Sequence, residues 1–281
     1  MRLRLILAAA AAVLATAVGA SVAPSPAGAA PTWAPVDQAT IRPGVQLVSP
    51  SGQCTANFIY SDGTDVYIGF AAHCVSTGAA TDTNGCTAGT LPLGTEVEIV
   101  GAGTTGTLAY SSWITMQSVG ETDEDACAYN DLGLVQIDAA DVALVNPSIP
   151  HWGGPTGVNS SGIPAGQTVY SYGNSSLRLG IENLSPKTGV SLGTSGGGWT
   201  HPTYTVSPGI PGDSGSALLD STGRAAGVLS TLAIAPLAGS NNYSDVNSAL
   251  GYMRAAHTNL DAVQVVAGTE AFNPNQLPIR L

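Results

Sequence analysis

Short apolar runs alternate with clusters of Gly, Ser, Thr and Asp along most of the chain from residue 44 onward. Each run holds about four to seven residues and is bounded by turn-forming residues, which is the pattern of strands in all-β proteins. The runs are 45–48, 56–60, 66–70, 96–100, 106–110, 132–137, 167–172, 216–219 and 226–230. This pattern predicts an all-β barrel or sandwich.

Helical spacing is convincing only near the C-terminus. Val246, Leu250 and Met253 recur at i, i+4 and i+7, which places them on one helix face. Ser244 and Asp245 come just before and can cap the first turn, so we predict a short helix over 246–256.

The segment 146–164 is loop-like and rich in Gly and Pro, and it divides the strands into two groups. We interpret it as the link between two β-barrels. The predicted organisation is therefore an N-terminal barrel over 44–150 and a C-terminal barrel with the terminal helix over 151–281.

The first residues have the layout of a secretory signal peptide. Arg2 and Arg4 precede an apolar run from Leu5 to Val18, and small residues lead to the A-x-A sequence that ends at Ala29. The run is shorter than the roughly 20 residues that span a membrane. We predict a signal peptide over 1–29 and a leader over 30–43, and we expect a secreted, extracellular protein with no membrane anchor after cleavage.

The charge balance is strongly acidic. The chain has 8 Lys and Arg against 19 Asp and Glu, a formal net charge of −11. Loss of Arg2 and Arg4 with the signal peptide makes the mature chain more acidic still. Such a surface repels nucleic acid and anionic lipid, so we exclude both as partners. We expect a monomer.

Four cysteines, Cys54, Cys74, Cys86 and Cys127, favour two disulfides in an exported chain. Four cysteines allow three pairings. A zinc site is the rival interpretation, but no two of these residues form a C-x-x-C pair. We therefore expect structural bridges and no metal.

Three segments carry candidate chemistry. They are 71–74 with His73, 130–135 with Asp131, and 212–216 with Ser214. A serine hydroxyl needs a neighbouring imidazole to take its proton when it attacks a carbonyl carbon. The imidazole in turn needs a buried carboxylate that fixes its tautomer. We predict that these three side chains form a catalytic triad, with the backbone amides of Gly212 and Ser214 as an oxyanion hole.

Together these segments resemble the chymotrypsin-like serine peptidases, especially the secreted bacterial members. The match rests on Ala71-Ala72-His73-Cys74, Asn130-Asp131-Leu132-Gly133-Leu134 and Gly212-Asp213-Ser214-Gly215-Ser216, in the family's order. The resemblance implies two six-stranded antiparallel β-barrels with the site between them and a short C-terminal helix. It also implies that Cys54 pairs with Cys74, which leaves Cys86 to pair with Cys127.

Two departures from the family concern specificity and activation. Pro208 stands where members that cleave after Lys or Arg have Asp, and Leu232 stands close behind Ser230 where many have Gly. We therefore predict a small or shallow apolar substrate pocket at Pro208, Ser230 and Leu232. No Ile-Val-Gly-Gly start is present to supply the N-terminal amine that pairs with Asp213 in many members. Either Asp213 has another partner, or the turn is ordered without cleavage.

The sequence thus predicts a secreted serine endopeptidase that acts on protein or peptide substrates through an acyl-enzyme and needs no cofactor. Two alternatives remain open. One is an esterase of narrow specificity, which a crowded pocket would favour. The other is a secreted binding protein that keeps the fold but turns over no substrate.

Overall fold

The computed structural model describes residues 30–232, 239–256 and 258–278. The predicted signal peptide lies outside the described residues. Within them, no helix combines the length and apolar character needed to cross a membrane.

The described chain is built mainly from β-strands, with three short α-helices. The strands are β1 (Gln46–Ser49), β2 (Gly52–Thr55), β3 (Ile59–Ser61), β4 (Val66–Phe70), β5 (Glu96–Ile99), β6 (Gly106–Ser111), β7 (Gly133–Gln136), β8 (Thr168–Tyr172), β9 (Pro186–Ser191), β10 (Thr200–Thr205), β11 (Ala217–Leu219), β12 (Ala225–Leu232), β13 (Asn241–Asp245) and β14 (Gln264–Val265). The helices are α1 (Ser112–Val119), α2 (Glu124–Tyr129) and α3 (Val246–Ala256).

The second half of the chain forms a closed barrel in the order β10-β13-β12-β11-β8-β9. All its pairings are antiparallel. This confirms the prediction of a six-stranded antiparallel barrel for this half.

The first half forms a curled antiparallel sheet in the order β14-β3-β4-β7-β6-β5-β1-β2. Among the described residues this sheet has eight strands and does not close, whereas the family resemblance implies six strands in a barrel. One of the two additional strands comes from the far end of the chain, because β14 pairs with β3 and so extends one edge.

A continuous apolar core fills the first unit. Every residue of β4 is buried. Ile68 of β4 faces Ile59 on one neighbouring strand and Val135 on the other, and all three side chains are inaccessible to solvent. Strands buried on both faces read as continuous apolar runs, which is why 66–70 and 132–137 stand out in the sequence.

The predicted C-terminal helix is confirmed as α3. Val246, Leu250 and Met253 are buried on its inner face. Asp245 caps the first turn, because its Oδ1 atom accepts a hydrogen bond from the Ser248 amide at 2.6 Å.

The chain continues beyond α3 as a tail that contacts both units. β14 pairs with β3 of the first unit, and the Gly268 amide donates to the Pro155 carbonyl at 2.8 Å. Further along, the ring of Phe272 packs edge-on against Tyr170 of the barrel, with centroids 5.3 Å apart. The division at residue 150 therefore stays a prediction, and the tail belongs to neither unit alone.

Candidate active site

The pairing of β4 with β7 brings His73 and Asp131 together. The strands are antiparallel, with Phe70 opposite Gly133, so the residues that follow β4 lie beside the residues that precede β7. Gly133 permits this approach, since a Cβ atom there would meet the Phe70 ring. His73 lies in a 3₁₀ turn, Ala72–Val75, directly after the buried strand.

His73 and Asp131 make two hydrogen bonds. The His73 Nδ1 atom lies 2.7 Å from Asp131 Oδ2, and the His73 amide donates to Oδ1 at 2.8 Å. The hydroxyl of Ser230 donates to Oδ2 at 2.6 Å. Asp131 is only 3% exposed, so its carboxylate is satisfied by protein donors. Because a carboxylate accepts at Nδ1, the neutral ring carries its proton on Nδ1 and keeps Nε2 as a free acceptor.

Opposing effects act on the pKa of His73. Burial lowers the pKa, whereas the charge of Asp131 and its hydrogen bond raise it, and the net result is a raised pKa. Asp131 therefore stabilises the protonated form of His73. A side chain that acts as a base needs this, because it must hold a proton during the reaction.

Ser214 lies in a tight turn between the two units. Gly212 and Gly215 on either side of it have φ of +93° and +88°, a region that favours glycine. The Ser214 carbonyl accepts from the Thr55 amide of β2 at 2.8 Å. The Gly215 amide donates to Leu229 of β12 at 2.7 Å. The turn is thus fixed from both sides.

Ser214 and His73 line the same cleft, which has a volume of about 600 Å³. The cleft also receives Gly212, whose carbonyl accepts from Thr55 Oγ1 at 2.7 Å and from Gln53 Nε2 at 2.9 Å. The amides of Gly212 and Ser214 donate to no acceptor among the described residues. Both N–H groups remain available to a substrate oxygen.

Asp213, next to Ser214, is fully buried and has two cationic partners. Arg178 contacts its Oδ2 atom at 2.5 Å, and Lys187 lies 3.2 Å from the same oxygen. The amides of Ser175 and Ile210 donate to the carboxylate at 3.0 and 3.1 Å. The sequence left open whether Asp213 has a partner other than an N-terminal amine. The structure supplies two such partners, Arg178 and Lys187.

The predicted substrate-pocket residues are only partly brought together. Ser230 and Leu232 line the cleft, but Pro208 does not, and its carbonyl instead faces Arg178. Leu232 is 58% exposed, so it lies at the rim and does not fill the pocket. Asn241 lines the cleft as well and accepts from the Gly209 amide at 2.8 Å.

Sequence reasoning missed Asn241 because nothing local marks it. It reaches the cleft through the pairing of β13 with β12, where it stands opposite Leu232. Gln53 was missed for the same reason, since its contact with the Ser214 turn joins residues far apart in sequence.

Both disulfides implied by the resemblance are present. Cys54 pairs with Cys74 and joins β2 to the His73 turn, and Cys86 pairs with Cys127 within α2. Among the described residues, the only group with the ligand types and spacing of a metal site is Cys54, His73 and Cys74. Its two sulfurs are bonded to each other, so they offer no thiolate to a metal.

No protein-family model matches the chain, and no curated protein matches it. Solved structures do. Protease A of Thermobifida fusca aligns with a TM-score of 0.50 at 20% identity over 81% of this chain and 99% of that one. The active form of the Rv3671c protease of M. tuberculosis aligns with a TM-score of 0.46 at 15% identity over 93% and 97%. The likeness to the first shows that this chain has the chymotrypsin-like fold implied by its sequence motifs.

Proposed function

We propose that this chain, folded as chymotrypsin-like proteins are, is a secreted serine endopeptidase with Ser214 as nucleophile, His73 as base and Asp131 as orienting acid. One observation carries the proposal. The His73 ring is held by Asp131 through Nδ1 at 2.7 Å, which directs the Nε2 face to the cleft that also contains Ser214.

Acylation follows from this arrangement. Ser214 Oγ attacks the carbonyl carbon of a peptide bond while His73 Nε2 takes the hydroxyl proton. The carbonyl π-bond opens, and its electron pair forms an oxyanion. When the intermediate collapses, the C–N bond breaks and His73 returns the proton to the leaving amine, which leaves an ester on Ser214.

Deacylation repeats the sequence with water. His73 takes a proton from the water as its oxygen attacks the ester carbon, and the proton then passes to Ser214 Oγ as the product acid leaves. Asp131 stabilises the imidazolium in both halves, in keeping with the raised pKa of His73.

We assign the oxyanion to the amides of Gly212 and Ser214. Removal of one such donor costs about 3 to 4 kcal/mol of transition-state stabilisation in enzymes where this has been measured. Both amides lack a protein acceptor among the described residues, and the turn that carries them is anchored by Gln53 and Thr55.

For the residue before the scissile bond (P1), the proposal is a small or apolar side chain. The wall formed by β12 and β13 contributes Leu229, Thr231, Leu232 and Asn241 to the cleft, and none of these is charged. A Lys or Arg side chain would find no counter-charge among the described residues of this wall.

Secretion, a protein or peptide substrate and a monomeric state complete the proposal. The two disulfides support an oxidising compartment, because such bonds persist outside the reducing cytosol. The acidic net charge of −11 argues against nucleic acid and anionic lipid as partners.

A fluorophosphonate probe tests the central claim, since it modifies an activated serine. We expect labelling of the folded protein at Ser214, with none in Ser214→Ala, together with cleavage of a peptide library after small or apolar residues. Dominant cleavage after Lys or Arg would overturn the P1 assignment. Labelling with ester turnover but no peptide cleavage would favour the esterase, and a folded protein that does not label would favour the binding protein.

A further inference from the structure

The cleft is bordered on one side by a loop, 77–84, that follows the His73 turn and precedes Cys86. Both ends of this loop are anchored. The Thr77 amide donates to the Gly89 carbonyl at 2.9 Å, and the Gly85 amide donates to the Cys127 carbonyl at 2.8 Å. The Cys86–Cys127 disulfide holds the second end covalently. The 77–84 loop is therefore held beside the cleft.

Asp82 is the acidic residue of this loop and lines the cleft with Thr81 and Thr83. Its amide closes a turn onto the Ala79 carbonyl at 2.9 Å, and its carboxylate lies against Gly78. Apart from His73, it is the one ionisable side chain among the described residues that line the cleft. No Lys, Arg or His among the described residues pairs with it.

The cleft has two sides at Ser214. We expect the acyl part of a substrate, before the scissile bond, to bind on one side and the leaving part, after it, to bind on the other. The Ser214 turn bonds to β12 on one side, through Leu229, and to β2 on the other, through Thr55. In the proposed function a P1 side chain would rest against the β12 wall, so the residues after the scissile bond would pass over the β2 side. Asp82 lies in the loop that follows the His73 turn, and Cys74 of that turn is bonded to Cys54 of β2, so we assign Asp82 to this second side of the cleft.

We propose that Asp82 makes this cleft selective for Lys or Arg just after the scissile bond, at P1′ or P2′, an inference that rests on the proposed endopeptidase function. The carboxylate is exposed, so its pairing with a substrate cation is partly screened by water. Exposed pairs of this kind change an equilibrium by about two- to five-fold, and added salt weakens them.

The test uses quenched fluorescent peptides with one preferred P1 residue and Lys, Ala or Glu at P1′ or P2′. In the wild-type protein, kcat/KM should be higher for Lys than for Glu. In Asp82→Asn, the Lys-to-Glu ratio should fall about two- to five-fold, and Asp82→Glu should retain it. High salt should lower the Lys-to-Glu ratio of kcat/KM in the wild-type protein, because it screens the charge of Asp82.

The matched control is Glu98→Gln, which removes one charge from an exposed position of β5 outside the cleft. It should leave the Lys-to-Glu ratio unchanged. The same ratio in Asp82→Asn and wild type, with normal turnover of the Ala peptide, would overturn the role of Asp82 while leaving the endopeptidase intact. Failure of all peptides to turn over, together with failure of Ser214 to label, would overturn both proposals.

Discussion

The Nζ atom of Lys187 lies 3.2 Å from the Oδ2 atom of Asp213, and both side chains are completely buried behind the turn that carries Ser214. Arg178 contacts the same oxygen from another direction. The chain thus supplies the countercharge for Asp213 from its own interior. A newly cut N-terminus is not required to neutralise this carboxylate.

We expect Arg178 and Lys187 to contribute unequally to the free energy of unfolding. Burial is the largest influence on Lys187 and lowers its pKa, and its Nζ makes no well-aligned hydrogen bond among the described residues. Arg178 makes a short, direct contact. We expect Arg178→Met to lower the free energy of unfolding by about 3 kcal/mol, because it weakens the pairing of a buried charge, and Lys187→Met to lower it by no more than about 1 kcal/mol.

Urea unfolding of both variants, with fluorophosphonate labelling of Ser214, checks this order. Arg178→Met should also label more slowly, since Asp213 positions the Ser214 turn. Equal destabilisation by the two substitutions would contradict the assignment of Arg178 as the main partner of Asp213.

The raised pKa of His73 predicts the acid side of the pH profile. The ring acts as a base only when neutral, and Asp131 stabilises its protonated form, so activity should fall below a midpoint that lies above the ordinary value of 6.5. Asp131→Asn should move the midpoint down and lower kcat by about four orders of magnitude. The rate of fluorophosphonate labelling against pH gives the midpoint, and the turnover of a peptide substrate gives kcat.

Ser230→Ala is the matched control, because it removes a donor to Asp131 but keeps the carboxylate. Its midpoint should stay above 6.5, the ordinary value for His73. A wild-type midpoint at or below that value would show that burial outweighs Asp131 at His73.

The parts that sequence predicts well are those that local pattern encodes. A buried strand of continuous apolar residues is visible in 66–70 and 132–137, and the family motif places His73 and Asp131 at their ends. The pairing of β4 with β7 then brings the two side chains together. The capped helix α3 was equally predictable, since its cap and apolar face lie within a few residues of one another.

The parts that sequence misses depend on contacts between distant segments. Nothing in the local sequence around Arg178 or Lys187 indicates that both reach Asp213, and Arg178 is flanked by exposed leucines that suggest an ordinary surface loop. Strand β14 is two residues long, too short to leave a periodic signal. The open edge of the first sheet follows from such pairings and not from strand pattern.

The two disulfides should contribute unequally. In the chain-entropy model, the Cys86–Cys127 bridge closes the longer loop and contributes about 4 kcal/mol, and the Cys54–Cys74 bridge contributes about 3 kcal/mol. We expect the Cys86→Ser, Cys127→Ser variant to lose about 4 kcal/mol of unfolding free energy. Urea denaturation measures the loss, with reduced wild-type protein as the comparison. Stability equal to that of the oxidised wild type would contradict it.

We expect Phe272, in the tail that follows α3, to stabilise the fold. Phe272 packs edge-on against Tyr170 and covers Gly223, which has no side chain to obstruct the ring. Phe272→Ala should lower the free energy of unfolding by about 2 kcal/mol, less than a full core truncation because the ring is partly exposed. Leu277→Ala, on the same tail but 72% exposed, should change it by no more than about 0.5 kcal/mol.

Thermal or urea unfolding of the two variants measures these changes, and equal effects of the two substitutions would mean that the tail only lies on the surface. A selective loss in Phe272→Ala would instead mean that the tail after α3 is part of the folded structure, because the Tyr170 ring depends on Phe272 for cover.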